Sequence, residues 1–155
     1  MGRVFFWSIP HVDSLLPNMV SDYQSDMAFH GMRSLLGEDC IDVQRFWWMY
    51  KEDKQSRPED FSKIWGRGFT MYGLLDDIDI KWDGVFEKDD KVILPLHHTI
   101  TQRTELVVPL VKEASKVLQG KQIGIIDGWD QPFISEDLLN LCRQNGVKYF
   151  KRGRS

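Results

Sequence analysis

The sequence predicts an α/β domain of three layers, with helices on both sides of a sheet of about five mainly parallel strands. Two observations predict it. Short runs rich in apolar, β-branched and aromatic residues recur at 3–9, 40–43, 91–96, 122–127 and 147–150, and stretches with the apolar spacing of amphipathic helices lie between several of them. Strands that alternate with helices imply a parallel sheet with right-handed crossovers. At 155 residues the chain has the size of one domain, able to bury roughly two thirds of its unfolded surface.

In order, residues 3–9, RVFFWSI, read as a first strand buried on both faces and ended by Pro10. A loop with Pro17 and Asn18 follows. Ser21 and Asp22 offer capping oxygens to a helix over 23–36, in which Tyr23, Met27, Met32, Leu35 and Leu36 repeat at near-helical spacing and Gly37 closes the end. Residues 40–43, CIDV, form the second strand. From 44 to 91 the periodicity is lost, over a length far beyond the roughly two to six residues of an ordinary α/β connection. This insertion holds Phe46-Trp47-Trp48-Met49-Tyr50, a polar run over 51–60 and Ile64-Trp65-Gly66-Arg67-Gly68. A short helix is expected near Pro58, a residue suited to a first turn, with Ser56 as its cap.

Residues 91–96, KVILPL, make the third strand, and Pro95 places it near an edge or marks its end. Thr101 is the expected cap of an amphipathic helix whose Leu106, Leu110, Val111, Ala114, Val117 and Leu118 share a face and which Gly120 stops. The fourth strand, 122–127, leads to Asp127-Gly128 and Pro132, which cannot continue it. Ser135 caps a last helix with Glu136 and Asp137 in its first turn, Asn145-Gly146 ends it, and 147–150 is the fifth strand.

The totals exclude several classes of function. A net charge of −3 and a pI near 5.8 give no general attraction to nucleic acid or anionic lipid, and the terminal cluster Lys148, Lys151, Arg152 and Arg154 is too short to add one. No segment approaches the roughly 18 apolar residues of a membrane span, and the first residues lack the pattern of a secretory signal, so the expectation is a cytoplasmic protein. Cys40 and Cys142 fall in core-facing positions without metal-site spacing and read as buried free thiols.

The candidate site follows from the sheet, because ligands of open α/β sheets bind at the carboxyl ends of the strands. The fourth strand delivers Asp127, Gly128, Trp129 and Asp130 to that edge. The two carboxylates suit cation or hydroxyl binding or base catalysis, and the indole suits stacking on a pyranose or base; the plainer alternative is an Asx-turn at Asp127. His97 ends the third strand near the tip of the first, where it is expected to serve as a catalytic acid or base near neutrality beside Asp127 and Asp130, with His11 of the first strand's tip as a ligand contact. His97 and His98 are adjacent and point to opposite sides, so a metal pair is not expected, and no metal is assigned. Arg67, between Gly66 and Gly68, lacks the spacing of a nucleotide fingerprint but is suited to an anionic group.

Taken together, Asp22-Tyr23, residues 30–37 (HGMRSLLG), Tyr50-Lys51, residues 66–70 (GRGFT), Tyr72-Gly73, residues 127–130 (DGWD) and residues 149–152 (YFKR) resemble, in order, the N-terminal portion of glycosyltransferase-like proteins of bacteria and phages. The resemblance implies a Rossmann-like half of a two-domain transferase of the GT-B kind. Such a half sits on the acceptor side and recognises a saccharide, while a C-terminal half mainly holds the sugar nucleotide that serves as donor. Where those proteins show an acidic residue and then a second domain, this sequence has Gly153-Arg154-Ser155. The expected partners are therefore a saccharide or sugar nucleotide and a second domain or identical subunit, with no cofactor firmly implied. The alternative expectation is a non-catalytic interaction or oligomerisation module using the aromatic loop 46–72. A flavodoxin-like or receiver-like domain has the same topology class, but residues 8–11 lack the acidic pair a receiver needs after its first strand.

Overall fold

The structure, a computed structural model, describes residues 2–8, 23–63, 72–80, 82–97, 100–129 and 131–151. Strands β1 (Val4–Phe6), β2 (Cys40–Asp42), β3 (Lys91–Leu96), β4 (Ile123–Asp127) and β5 (Lys148–Lys151) form one sheet in the order β2-β1-β3-β4-β5, all pairs parallel. The chain winds from β1 to β2 in one direction and from β3 through β5 in the other. The topological switch point therefore lies between β1 and β3, an order shared with flavodoxin-like sheets. Among the described residues no helix is long and apolar enough to cross a membrane.

Alternation along each strand and the strand register divide the side chains into two layers. Phe5, Ile41, Val92, Leu94, Ile123 and Ile125 face helices α4 (Thr104–Ser115) and α5 (Glu136–Asn145), meeting Val107, Val111, Ala114, Leu138 and Cys142. Val4, Phe6 and Cys40 face α1 (Tyr23–Leu36), where Phe29 packs against Phe6. The outer ends of α1 and α5 follow from glycine: Gly37 and Gly146 take φ of 56° and 66°, a conformation in which a Cβ would be strained. Ser135 caps α5, its hydroxyl accepting from the Leu138 amide. Both cysteines are free and buried, and burial pushes their thiols up to about 11.

Some expectations shift. β3 is central rather than an edge strand, so Pro95 marks the strand's end. Thr101 is buried in a turn and does not cap the next helix, which starts at Thr104 with Arg103 before it and no side-chain cap. Val107, not Leu106, centres the buried face of α4, and Val117 is exposed. Ser21 and Asp22, the expected caps of α1, lie outside the described residues.

The insertion is more ordered than its sequence suggests. A 3-10 turn (Trp47–Met49) leads into α2 (Lys51–Ser56) and α3 (Pro58–Lys63), and Tyr50 and Leu75 form a parallel bridge. Met49 O accepts from the Leu75 amide at 2.9 Å, and Leu75 O accepts from that of Lys51 at 2.9 Å. Phe46, Trp48, Met49, Tyr50, Phe61 and Tyr72 then fill the α1 side of the core, with Phe46 edge-on to Phe29 at 5.0 Å between ring centres. Further along, Trp82 and Phe86 cross to the other layer and cover Phe5 at 5.0 and 5.1 Å. Asp90, buried just before β3, accepts from the Arg3 amide and guanidinium at 3.1 and 2.8 Å, fixing where the insertion re-enters the sheet.

Candidate functional site

Asp127 is the last residue of β4, and the register sets it between Leu96 of β3 and Lys151 of β5. Three neighbours occupy its carboxylate. Oδ1 accepts from the Trp129 amide at 2.8 Å, which is an Asx-turn; Oδ2 accepts from the Tyr149 hydroxyl and from Lys151 Nζ, the latter at 3.1 Å. Lys151 Nζ also donates to Trp129 O at 3.0 Å and lies 5.5 Å from the Trp129 ring centre. The Gly128 amide donates to Leu96 O at 2.9 Å, which ties the turn to the end of β3. Burial, followed by the hydrogen bond to Asp127 and the charge of its carboxylate, holds the Tyr149 phenol above its ordinary range, so it stays a donor.

The chemical consequence is a fixed turn. Asp127 is 1% exposed and its oxygens are turned inward, so its direct effect is to orient residues 127–129, leaving the half-buried Trp129 at the carboxyl edge of the sheet. His97 follows β3 on the same edge, and its carbonyl accepts from the Ile100 amide at 2.8 Å. The structure thus brings His97, Asp127, Gly128 and Trp129 to one edge. His11, Arg67, His98 and Asp130 lie outside the described residues.

Two parts of this edge escape sequence reasoning. The first is the Tyr149–Lys151 pair, for which the available signal was the period of two in β5: laid parallel to β4, it sets Lys151 opposite Asp127. The second is at the end of β2, where Asp42 Oδ2 accepts from the Phe46 amide at 2.6 Å and the Tyr50 hydroxyl at 2.9 Å, while Oδ1 is buried without a hydrogen-bond partner. Burial raises this carboxyl from 3.8 to about 6, against the pull of its two hydrogen bonds and the charges of Arg33 and Arg45. Arg33 lies against Phe29 and donates to Cys40 O at 3.0 Å; Arg45 stacks 4.3 Å from the Tyr50 ring centre and binds Asp53 and Asp77. Nothing in one dimension joins Arg33, Asp42 and Tyr50, because helix, strand and insertion meet only in the fold.

Among the described residues no group of three or more His, Cys, Asp or Glu side chains is placed to hold a metal. No protein-family model, curated protein or solved structure matches the chain.

Proposed function

We propose that the chain is a saccharide-recognising α/β domain of the glycosyltransferase-like kind, acting as the acceptor side of a two-domain arrangement whose donor is a nucleotide sugar. The observation that carries this reading is Trp129, whose turn is fixed by Asp127 and Lys151 at the edge where α/β sheets bind ligands. A pre-positioned indole loses little freedom on stacking against a sugar ring. In this reading Trp129 stacks, Gly128 leaves room for the ring, His97 contacts hydroxyl groups, and Asp127 positions the turn. Arg67, His11 and Asp130 would supply further polar contacts.

The interaction-module reading based on loop 46–72 has less support, since Phe46, Trp48, Tyr50, Phe61 and Tyr72 are all buried. The test is a thermal-shift screen against simple saccharides and sugar nucleotides, with and without Mg²⁺ or Mn²⁺. A ligand at a hundred times its dissociation constant should stabilise the fold by about 2.7 kcal/mol, a rise of several degrees. Trp129→Ala should fold and lose that shift. An unchanged shift in this variant, or no shift with any saccharide or sugar nucleotide, would overturn the proposal.

A further inference from the structure

A parallel sheet carries helices on both faces, because strands without a solvated face need both sides covered. Here one face is complete. Helices α4 and α5 cover it over β3 to β5, and Trp7, Trp82 and Phe86 extend that cover to Phe5. Among the described residues the opposite face is half covered: α1 and the insertion sit over β2 and β1 and reach Ile93. Beyond them the register lines up two rows that point the same way, Ile93–Gly124–Lys148 and Pro95–Ile126–Phe150. Between these rows and α1 lies an open groove of about 490 Å³, lined by Gln24, Met27, Ala28, Ile93, Ile126 and Phe150, with Lys151 at its end.

The surface is apolar and exposed on both walls. Phe150 is 55% and Met27 57% exposed, and Leu35, two turns along the same side of α1, is 81% exposed. Gly31 lies between Met27 and Leu35, and a Cβ there would meet nothing, so the helix wall is low at its middle. On the sheet wall Gly124 leaves its place to the Phe150 ring, whose nearest atom would lie 3.2 Å from a Cβ at that position. Over the open part of the face, from β3 to β5, alternation sets Lys91 with Ile93 and Lys148 with Phe150, both lysines are exposed, and the strands contribute no carboxylate there; Asp42, where the first row continues through Phe6 into β2, is held beneath the insertion by Phe46 and Tyr50. A second copy meeting this face about a two-fold axis would add its own lysines to the contact and no strand carboxylate to offset them. A partner strand added at β5 would meet lysines at both ends of KYFK, a pattern that discourages edge pairing.

We infer that this groove docks an amphipathic helix of a partner protein, whose apolar stripe packs on Met27, Ile126 and Phe150 and whose flanking carboxylates face Lys91 and Lys148. The helix would take the place that the described residues of the second layer leave open, and opposite charge across the contact would select it. The surface adjoins the carboxyl edge assigned to saccharide only at Lys151, and Met27, Lys148 and Phe150 take no part in fixing the Trp129 turn, so variants at those three positions test this reading apart from the saccharide reading.

The probes are two fluorescein-labelled 16-residue helical peptides of equal hydrophobicity, with Leu at i, i+3, i+4 and i+7 spacing, one flanked by Glu and one by Lys. Binding to the full chain is read by anisotropy. The Glu-flanked peptide should bind at least about tenfold more tightly than the Lys-flanked one and weaken with salt. Met27→Glu and Phe150→Asp, both at exposed positions, should each weaken it by about tenfold or more while the thermal unfolding temperature stays within a few degrees of wild type. Lys148→Glu should narrow or reverse the preference between the peptides. Equal binding of both peptides, no binding of either, or indifference to all three variants would overturn the inference. So would a concentration-dependent dimer in sedimentation that Phe150→Asp abolishes, because the occupant would then be a second copy.

Discussion

Asp42 shows how one buried atom sets a property of the whole fold. Burial, which leaves one oxygen without a partner, outweighs the two hydrogen bonds on the other, so the native state favours the protonated acid and its pKa rises from 3.8 to about 6. The sign of the linkage follows. Below about pH 4 the group is protonated whether the chain is folded or not, and its ionisation costs nothing. Between about pH 4 and 6 the unfolded chain gives up the proton first, so native stability falls as the pH rises, and above about 6 the loss is complete. A shift of this size corresponds to a penalty on the order of 2–3 kcal/mol. Asp42→Asn keeps an oxygen for the Phe46 amide and Tyr50 hydroxyl and cannot ionise. Urea unfolding should therefore find the variant gaining on wild type by up to roughly 2 kcal/mol between pH 4.5 and 7, most of it below pH 6.5. A constant difference across that range would mean that Asp42 is charged at both limits. Asp127, by contrast, has an ammonium and a phenol on one oxygen and a backbone amide on the other, and its carboxylate is fully used.

At the scale of elements, legibility followed the source of each element's stability. Helix α1, strand β3 and helix α5 were readable because apolar spacing, a glycine stop or a capping serine marks them locally. Helix α2 was not. KEDKQS has no apolar stripe and none of its residues is buried; it is held where the Lys51 amide donates to Leu75 O and the Leu75 amide to Met49 O across the returning chain. The start of α4 was misplaced because Thr101 has the chemistry of a cap but is taken up by a turn after β3. At the site, the DGWD strand end was visible as a turn signal, whereas the partners of Asp127 depend on strand register and those of Asp42 on an insertion folding back over α1. The insertion is accordingly structural. Phe46 is 2% exposed and touches Phe6, Phe29 and Trp48, so Phe46→Ala should cost about 3–5 kcal/mol in urea unfolding, as for any large aromatic removed from a core. A cost under about 1 kcal/mol would show that the insertion lies loosely over α1 and contributes little to the fold.

At the scale of the molecule, the two layers share one backbone. Strand β1 sends Val4 and Phe6 into the α1 layer and Phe5 into the other, while β3 sends Ile93 one way and Val92, Leu94 and Leu96 the other. Neither layer can lose its packing without leaving a central strand bare on that face, and bare central strands forfeit the burial that offsets their ordering. The insertion adds a second link, because its aromatic residues serve both faces: Phe46 and Trp48 on one, Trp82 and Phe86 on the other. Unfolding should therefore be a single transition. Indoles stand on both sides, which makes the claim measurable: Trp48→Phe leaves Trp7 and Trp82 among the reporters of the α4 layer, and Trp82→Phe leaves Trp48 reporting on the α1 layer. In each variant the urea midpoint by fluorescence should coincide with that by far-UV circular dichroism, although the midpoints of the two variants need not agree. A fluorescence transition that precedes the loss of secondary structure in Trp82→Phe alone would mean that α1 and the insertion open first. The shared strands would then be too few to couple the layers, and the half-covered face beside α1 would be where the coupling is weakest.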